Sequence, residues 1–427
     1  MRIIFPVLFT LTSLATKGQQ THWQHKDLQK DSVFGMSTEK ALNELLKGRT
    51  AKTVVVAIID SGIDTAHADL HPVLWTDVKT GIHGWNYIGA ETGREDVTML
   101  VADKKEFYDS LAYTMVPEVY RAGYQQHRKV EPALSDKIRA MEKLVESLEQ
   151  VNTPEAREIM ELAKYHLAHG LNIKNIEKDT ANGDADITPD KVAPIERPNR
   201  TCIHGTHVAG IIGSAQFGVA KNIQIMMLKT NGNIRELRDK SLAKAIRFAV
   251  DHGARVINCS FGKPYSWDKK SVDEAVQYAM SKNAIIIHAA GNSHEDLDHA
   301  PNFPNPNYLD NKGKAAAWLE IGASDSKGNA ADFSNYGQTR VDVFAPGVNI
   351  YSSVPGNKYE IQSGTSMAAP MVSGLAALIM GYFPRLTAAQ VKDVIMKTVV
   401  KRENLSSTCV SGGIVNTYNA LKLAATY

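Results

Sequence analysis

Three side chains in this sequence have the types that nucleophilic acyl transfer requires, and each stands where an element begins or ends. Ser366 lies in Gly364-Thr365-Ser366-Met367-Ala368-Ala369-Pro370, a small-residue lead-in to an apolar helix expected over Ser366–Tyr382. A hydroxyl at a helix N-terminus sits near free backbone N–H groups in a partly positive field, where an oxyanion could be held. A plain serine N-cap would have the same sequence. Pro370 fits if it falls in the first turn, whose N–H groups lack intrahelical partners. Asp60 closes Thr53–Ile59, a β-branched run that reads as an inner strand of a parallel sheet. Open α/β sheets place their sites at such strand ends, although a carboxylate there could equally cap a helix or form a turn. His204 opens the small-residue helix His204–Gly210. Serine attacks only when a base takes its proton, and that base needs an anion to fix its tautomer and stabilise its cation. Aspartate, histidine, serine is one of the three known chain orders for such groups.

The elements that must position these residues follow an α/β rhythm. Strands are expected at Ile223–Lys229, Ala254–Phe261, Ala284–Gly291, Leu319–Ala323 and Val341–Ala345, with a hairpin at Ile350–Gln362. Helices are expected at Ser37–Lys47, Asp239–Asp251 and Lys269–Lys282, and a closing one starts at the capping box Thr387–Gln390. Ser37-Thr38-Glu39-Lys40 offers capping residues for the first helix, and Gly48 stands where a helix-ending glycine belongs. Strand and helix alternating with short turns imply a doubly wound, mostly parallel sheet. Residues 89–200 interrupt the rhythm with a charged texture and helices expected at Leu134–Gln150 and Pro154–His169, which reads as a helical insertion.

Composition sets the outer limits. A net charge of +2 and the absence of a dense basic run leave no case for a nucleic-acid partner. Residues 1–18 read as an export signal: Arg2, the apolar core Ile3–Leu14, then small residues. That core is shorter than the roughly 20 residues a bilayer requires, and no later window is expected to span one. The expected location is therefore periplasmic or extracellular, without a stable membrane anchor, and a monomer is expected. Cys202, Cys259 and Cys409 allow at most one intrachain disulfide. Their spacing, and the lack of a His-Glu-x-x-His run, give no metal signature.

The motifs resemble those of the subtilisin-like serine proteases. Ile58-Ile59-Asp60-Ser61-Gly62-Ile63-Asp64 is similar to that family's aspartate motif, His204-Gly205-Thr206-His207-Val208-Ala209-Gly210 to its histidine motif, and Gly364-Thr365-Ser366-Met367-Ala368 to its serine motif. The resemblance implies that Asp60 orients the base, His204 is the base and Ser366 the nucleophile, with a rate that falls as His204 protonates below roughly pH 6–7. It makes His207 structural. Ala289-Ala290-Gly291-Asn292 resembles the oxyanion motif, with Asn292 as amide donor. Ser260-Phe261-Gly262 resembles the strand that pairs with extended substrate, and Ala290 and Gly291 would also bind substrate. The implied function is a serine endopeptidase acting on protein or peptide substrates through an acyl-enzyme. The implied peptidase domain covers 51–427, interrupted by 89–200, with residues 19–50 as an N-terminal segment. A disabled scaffold used for binding, or a ligase that passes the acyl group to an amine, are the rival readings.

Four departures from the family generate expectations of their own. The insertion enters beside the cleft and would restrict access to it. The short segment before the first strand lacks room for a folded pro-domain, so folding without a cleaved N-terminal chaperone is expected. Asp69 matches a calcium-ligating position, but Ile211–Ala220 lacks the oxygen-rich residues that calcium's six to eight ligands demand, so that site reads as incomplete and no cofactor is expected. The acidic Glu295–Asp298 loop reads as solvated, and Cys202 and Cys259 as small buried hydrophobes.

Overall fold

The computed structural model describes residues 22–79, 81–87, 190–191, 202–230, 239–263, 266 and 268–427. The expected signal segment and the two helices expected within 89–200 lie outside the described residues. Within them the chain opens with helices α1 (Leu28–Asp31) and α2 (Thr38–Glu44) and strand β1 (Val54–Asp60). Strands β2 (Gly84–Asn86) and β3 (Asp190–Lys191) come next, then α3 (Ile203–Gly213), β4 (Ile223–Lys229), α4 (Asp239–Asp251) and β5 (Ala254–Cys259). Helix α5 (Lys269–Ser281), β6 (Ile285–Ala289), β7 (Trp318–Ser324) and β8 (Val343–Pro346) follow. The hairpin β9 (Ile350–Val354) and β10 (Lys358–Gln362) leads into α6 (Thr365–Tyr382). The chain closes with α7 (Ala388–Lys397), β11 (Val400–Lys401), β12 (Gly413–Ile414) and α8 (Thr417–Ala424).

One 10-stranded sheet runs in the order β11-β12-β8-β7-β6-β5-β1-β4-β2-β3. Every pairing from β12 to β2 is parallel, and only the outermost pairs β11–β12 and β2–β3 are antiparallel. A parallel sheet must be covered on both faces, and β1 shows how. Val54, Val56 and Ile58 pack with α3 and α6, while Ala57 and Ile59 pack with α4 and α5. The doubly wound α/β fold is thus as the alternation implied. Strand β4 is added on one side of β1 and β5 on the other, so the chain reverses direction across β1 and leaves a crevice at its C-terminal end.

Several local expectations need correction. Ser37 caps nothing: its φ is 56°, and its hydroxyl instead accepts from Asn416 Nδ2 at 2.9 Å. Helix α2 ends at Glu44, and Gly48 (φ 75°) turns the chain only after it has left the helix. Helix α6 is long and apolar enough to cross a membrane, with mean hydropathy 1.3, against the expectation that no such window exists. Since 89% of it is buried within the protein, it is a core helix. Asp190–Lys191 falls inside the span assigned to the insertion yet belongs to the sheet, with Asn86 opposite Asp190. The segment between them therefore leaves and rejoins the fold at neighbouring points. Closing a long loop on adjacent ends adds entropy cost only logarithmically with length, so the sheet tolerates it.

The N-terminal segment is part of the core. Trp23 (5% exposed) donates its indole N–H to Val348 O at 3.2 Å, Met36 is fully buried, and Thr38 Oγ1 meets Thr417 Oγ1 at 3.1 Å. Two histidines are sealed into this packing as neutral rings. His25, pushed down to about 3 chiefly by burial, lies in the N-terminal segment; His207, pushed down to about 4 for the same principal reason, lies in α3. His207 Nε2 faces two carbonyls, Ile350 O (3.1 Å) and Glu360 O (3.2 Å), so the neutral ring carries its proton there. Unfolded histidine binds its proton near pH 6.5, whereas these two stay unprotonated until about pH 4 or below. Between those values the unfolded chain holds more protons, so stability falls as pH falls, by about 3 kcal/mol for His207 alone. Calorimetry on a Ser366→Ala protein, which avoids self-digestion, should show Tm dropping from pH 6.5 to pH 4, with a shallower slope in His25→Gln.

Candidate active site

Asp60 is the last residue of β1, at the crevice, and is fully buried. Its carboxylate is held from two sides. Oδ1 accepts from Ser61 N (2.7 Å), Ser61 Oγ (3.1 Å) and His204 Nδ1 (2.8 Å), and Oδ2 lies 3.0 Å from the same ring nitrogen. Accepting from Nδ1 leaves Nε2 of neutral His204 as the proton acceptor. Burial disfavours the charged ring, but the Coulomb attraction of Asp60 and its hydrogen bond outweigh this, so His204 titrates above the ordinary imidazole value. Helix α3 comes this close because its third residue is glycine. A Cβ on Gly205 would lie 2.1 Å from Gly62 O.

Ser366 stands at the start of α6, half-buried, and its Oγ donates to Ser260 O at 3.0 Å rather than to His204. Nucleophile–base hydrogen bonds in unliganded sites are often long and form only with substrate. The reciprocal bond, Ser260 Oγ to Ser366 O at 2.9 Å, corrects the expectation for Pro370. Pro370 sits in the second turn of α6, where its missing N–H would have bonded to the carbonyl four residues back. That carbonyl belongs to Ser366, and the Ser260 hydroxyl takes the place of the lost donor. The nucleophile candidate and the expected substrate strand are thereby locked to each other.

Asn292 lies on the other flank of Ser366. Thr365 N and Thr365 Oγ1 both donate to its Oδ1, at 2.9 and 3.0 Å. A backbone N–H can only donate, so the oxygen must face Thr365 and the NH2 must point away from it. Gly291 N donates to Thr365 Oγ1 at 3.1 Å and ties the β6 end to the same helix. Phe261 and Gly262 continue past β5 as exposed or half-buried backbone, and Ala290 is buried. All nine residues singled out in the sequence are therefore gathered at the C-terminal ends of β1, β5 and β6.

A sequence model of the subtilase family matches residues 51–412. The chain belongs to the subtilase family. It is 33% identical over 219 residues to subtilisin DY of Bacillus licheniformis, covering 50% of this chain and 75% of that one. It is 35% identical over 225 residues to the thermophilic serine proteinase of Bacillus sp. (strain AK1), covering 51% and 52%. A protease from Pseudoalteromonas arctica superposes over 94% of this chain and 97% of its own with a TM-score of 0.57, and at 21% identity this shows the fold. This subtilase is accordingly a serine endopeptidase, a hydrolase whose substrates are proteins.

The remaining side chains support the site. Asn258-Cys259-Ser260 has the pattern of a glycosylation sequon, but Asn258 is fully buried, accepting from Ser373 Oγ (2.8 Å) and donating to Ser260 Oγ (2.9 Å). Cys202, Cys259 and Cys409 are buried and form no disulfide, and burial raises the pKa of each thiol. In the acidic loop, Asp296 Oδ1 accepts from Asp298 N (3.0 Å), and Asp298 Oδ1 from Thr339 Oγ1 (2.8 Å). Asn335 escaped the sequence reading. Its Nδ2 donates to Ala290 O (2.8 Å), while Oδ1 accepts from Ser293 N and Glu295 N, both at 2.9 Å. It shapes the loop that carries Asn292, and nothing in Ser334-Asn335-Tyr336 marks that role. Asn302 escaped as well, although the Asn/Pro-rich stretch Asn302–Asn307 is a recognisable turn signal. The tight approach of α3 gives a direct test: Gly205→Ala should push His204 from Asp60 and lower kcat about 100-fold on a peptide substrate, the order of effect expected for a 1 Å misplacement.

Proposed function

We propose that this subtilase cleaves peptide bonds through a triad of Ser366, His204 and Asp60. The observation that carries the reading is the 2.8 Å contact between His204 Nδ1 and a fully buried Asp60 at the end of β1. Ser366 Oγ attacks the scissile carbonyl as His204 Nε2 takes its proton, and Asp60 stabilises the imidazolium. The oxyanion that forms is held by the Asn292 NH2 and by backbone N–H at the start of α6. His204 then gives its proton to the leaving amine, and water releases the acyl group by the same route in reverse. Main-chain pairing along Ser260–Gly262 holds the extended substrate. In this reading the protein is exported and acts as a monomer outside the cytoplasm.

Asp69 bears on calcium. Its Oδ2 accepts from Ser214 Oγ and Tyr359 OH, both at 3.0 Å, and its Oδ1 from Gln216 Nε2 at 3.3 Å. The ammonium of Lys221 donates to the nearby carbonyls Ser214 O (2.7 Å) and Ala215 O (2.9 Å). A single carboxylate already occupied by neutral donors, beside carbonyls already occupied by an ammonium, does not fit a cation that requires six to eight oxygens. The reading therefore includes no calcium at Asp69.

Labelling with a fluorophosphonate probe should give one adduct by intact mass, absent in Ser366→Ala; a folded protein that takes no adduct defeats the proposal. The base must be neutral to act, so with His204 raised above 6.5 the rate should fall as pH drops through a midpoint above 6.5. Asp60→Asn should move that midpoint down, because burial then acts unopposed, and should cost about 10⁴ in kcat. Calcium should change the Tm of the unsubstituted and the Asp69→Asn proteins by the same amount; a calcium-dependent gain lost only in Asp69→Asn would refute the Asp69 assignment.

A further inference from the structure

The segments Ser260–Gly262 and Ala289–Gly291 flank Ser366, and one side chain closes the floor between them. Asn302 is 8% exposed, and its Nδ2 donates to Ala289 O (3.3 Å), Ala290 O (3.1 Å) and Glu320 Oε1 (3.2 Å). Carbonyls can only accept, so the amide has one orientation: NH2 towards the end of β6 and Oδ1 away from it. A Cβ built on Gly262 would lie 2.4 Å from that Oδ1, which places the oxygen against the opposite segment. Among the described residues none donates to it. The amide is further braced from behind. Glu320 also meets His288 Nδ1 at 2.8 Å and accepts from Trp318 Nε1 at 3.0 Å, all within the sheet.

A scissile carbonyl placed between Ser366 Oγ and the Asn292 amide, with its main chain along Ser260–Gly262, directs its own side chain between the two segments and onto Asn302 Oδ1. We infer that Asn302 is a specificity-determining residue, selecting a substrate side chain that ends in a hydrogen-bond donor at the residue whose carbonyl is attacked. This rests on the reading of Ser366 as nucleophile, which fixes where that carbonyl lies. A glutamine side chain offers its NH2 to Oδ1. An apolar side chain of the same length leaves that oxygen unpaired on desolvation, and a carboxylate sets one acceptor against another. Asn302 also limits depth. Against it lies a small cavity of about 10 Å³, room for about one water, lined in part by Asn302, Asn305, Glu320 and Arg340.

The test is binding of product-like peptides that differ only in a C-terminal Gln, Met or Glu to the Ser366→Ala protein, measured by calorimetry. Gln should bind about 10-fold more tightly than Met, and Glu most weakly. In Ser366→Ala combined with Asn302→Ala the Gln-to-Met ratio should fall to about 1. Equal affinities for Gln and Met, or a ratio unmoved by Asn302→Ala, would overturn the inference. If Asn302→Ala fails to fold, kcat/KM of the unsubstituted enzyme on Gln and Met substrates supplies the same ratio: about 10 upholds the assignment, about 1 removes it. Binding needs no turnover, so the two readings fail separately. An enzyme labelled at Ser366 without this discrimination sinks the role of Asn302, while a discriminating but unlabelled one sinks the role of Ser366.

Discussion

A fully buried carboxylate at the end of a central strand is the constraint on which the rest of the structure depends. Taking an isolated carboxylate out of water costs so much that it persists only when charge and hydrogen-bond partners are supplied. Asp60 receives them from Ser61 and His204, and each supply line imposes geometry. The Ser61 contacts require the chain to turn sharply after β1, which Gly62 permits at φ 117°. The His204 contact requires α3 to start within touching distance of that turn, which Gly205 permits. In turn α3 lies between β1 and α6 in the same core cluster, so the histidine is placed by packing before chemistry asks anything of it. Strand β1 is pinned on both sides along its length, by β4 and by β5. The carboxylate cannot retreat into water, and the imidazole it faces cannot lose its orientation.

Much of this was legible in the sequence because it depends on local pattern. The β-branched run ending at Asp60, the small residues opening α3 and α6 and the alternation between them each follow from the period and chemistry of a single element. The strand bounds differ from expectation by only a residue or two at an end, as for β5, which stops at Cys259. What the sequence hid was relational. Ser37 has the residue type of a helix cap but is claimed by Asn416, nearly the whole chain away, and no window of sequence contains both. Helix α6 satisfies a membrane criterion on composition, and only its neighbours show that the apolar surface is already covered. Asn302 and Asn335 act on the site from loops whose amides look interchangeable until the acceptors around them are known.

Pro370 shows how a local rule can succeed for the wrong reason. Proline near a helix start suggests a position without an obligation to donate, yet Pro370 sits deep enough to orphan a carbonyl. The fold answers from outside the helix, with Ser260 Oγ on Ser366 O. A defect within one element thus becomes a tie between two. An uninterrupted helix would satisfy its own carbonyl and have no claim on the substrate strand.

Amide side chains do much of the shaping around the crevice, and each is oriented by groups that have no choice. An Asn amide can be turned over with little change in shape, so its direction carries information only when a neighbour is strictly donor or strictly acceptor. Thr365 N–H turns the oxygen of Asn292 towards itself and the NH2 away. The carbonyls of Ala289 and Ala290 do the reverse to Asn302, leaving an oxygen facing Gly262. Ser293 N and Glu295 N, set against Ala290 O, hold Asn335 at both ends. Two amides at the crevice therefore take their polarity from main-chain groups on two different elements: the N–H at the start of α6 fixes Asn292, and the carbonyls at the end of β6 fix Asn302.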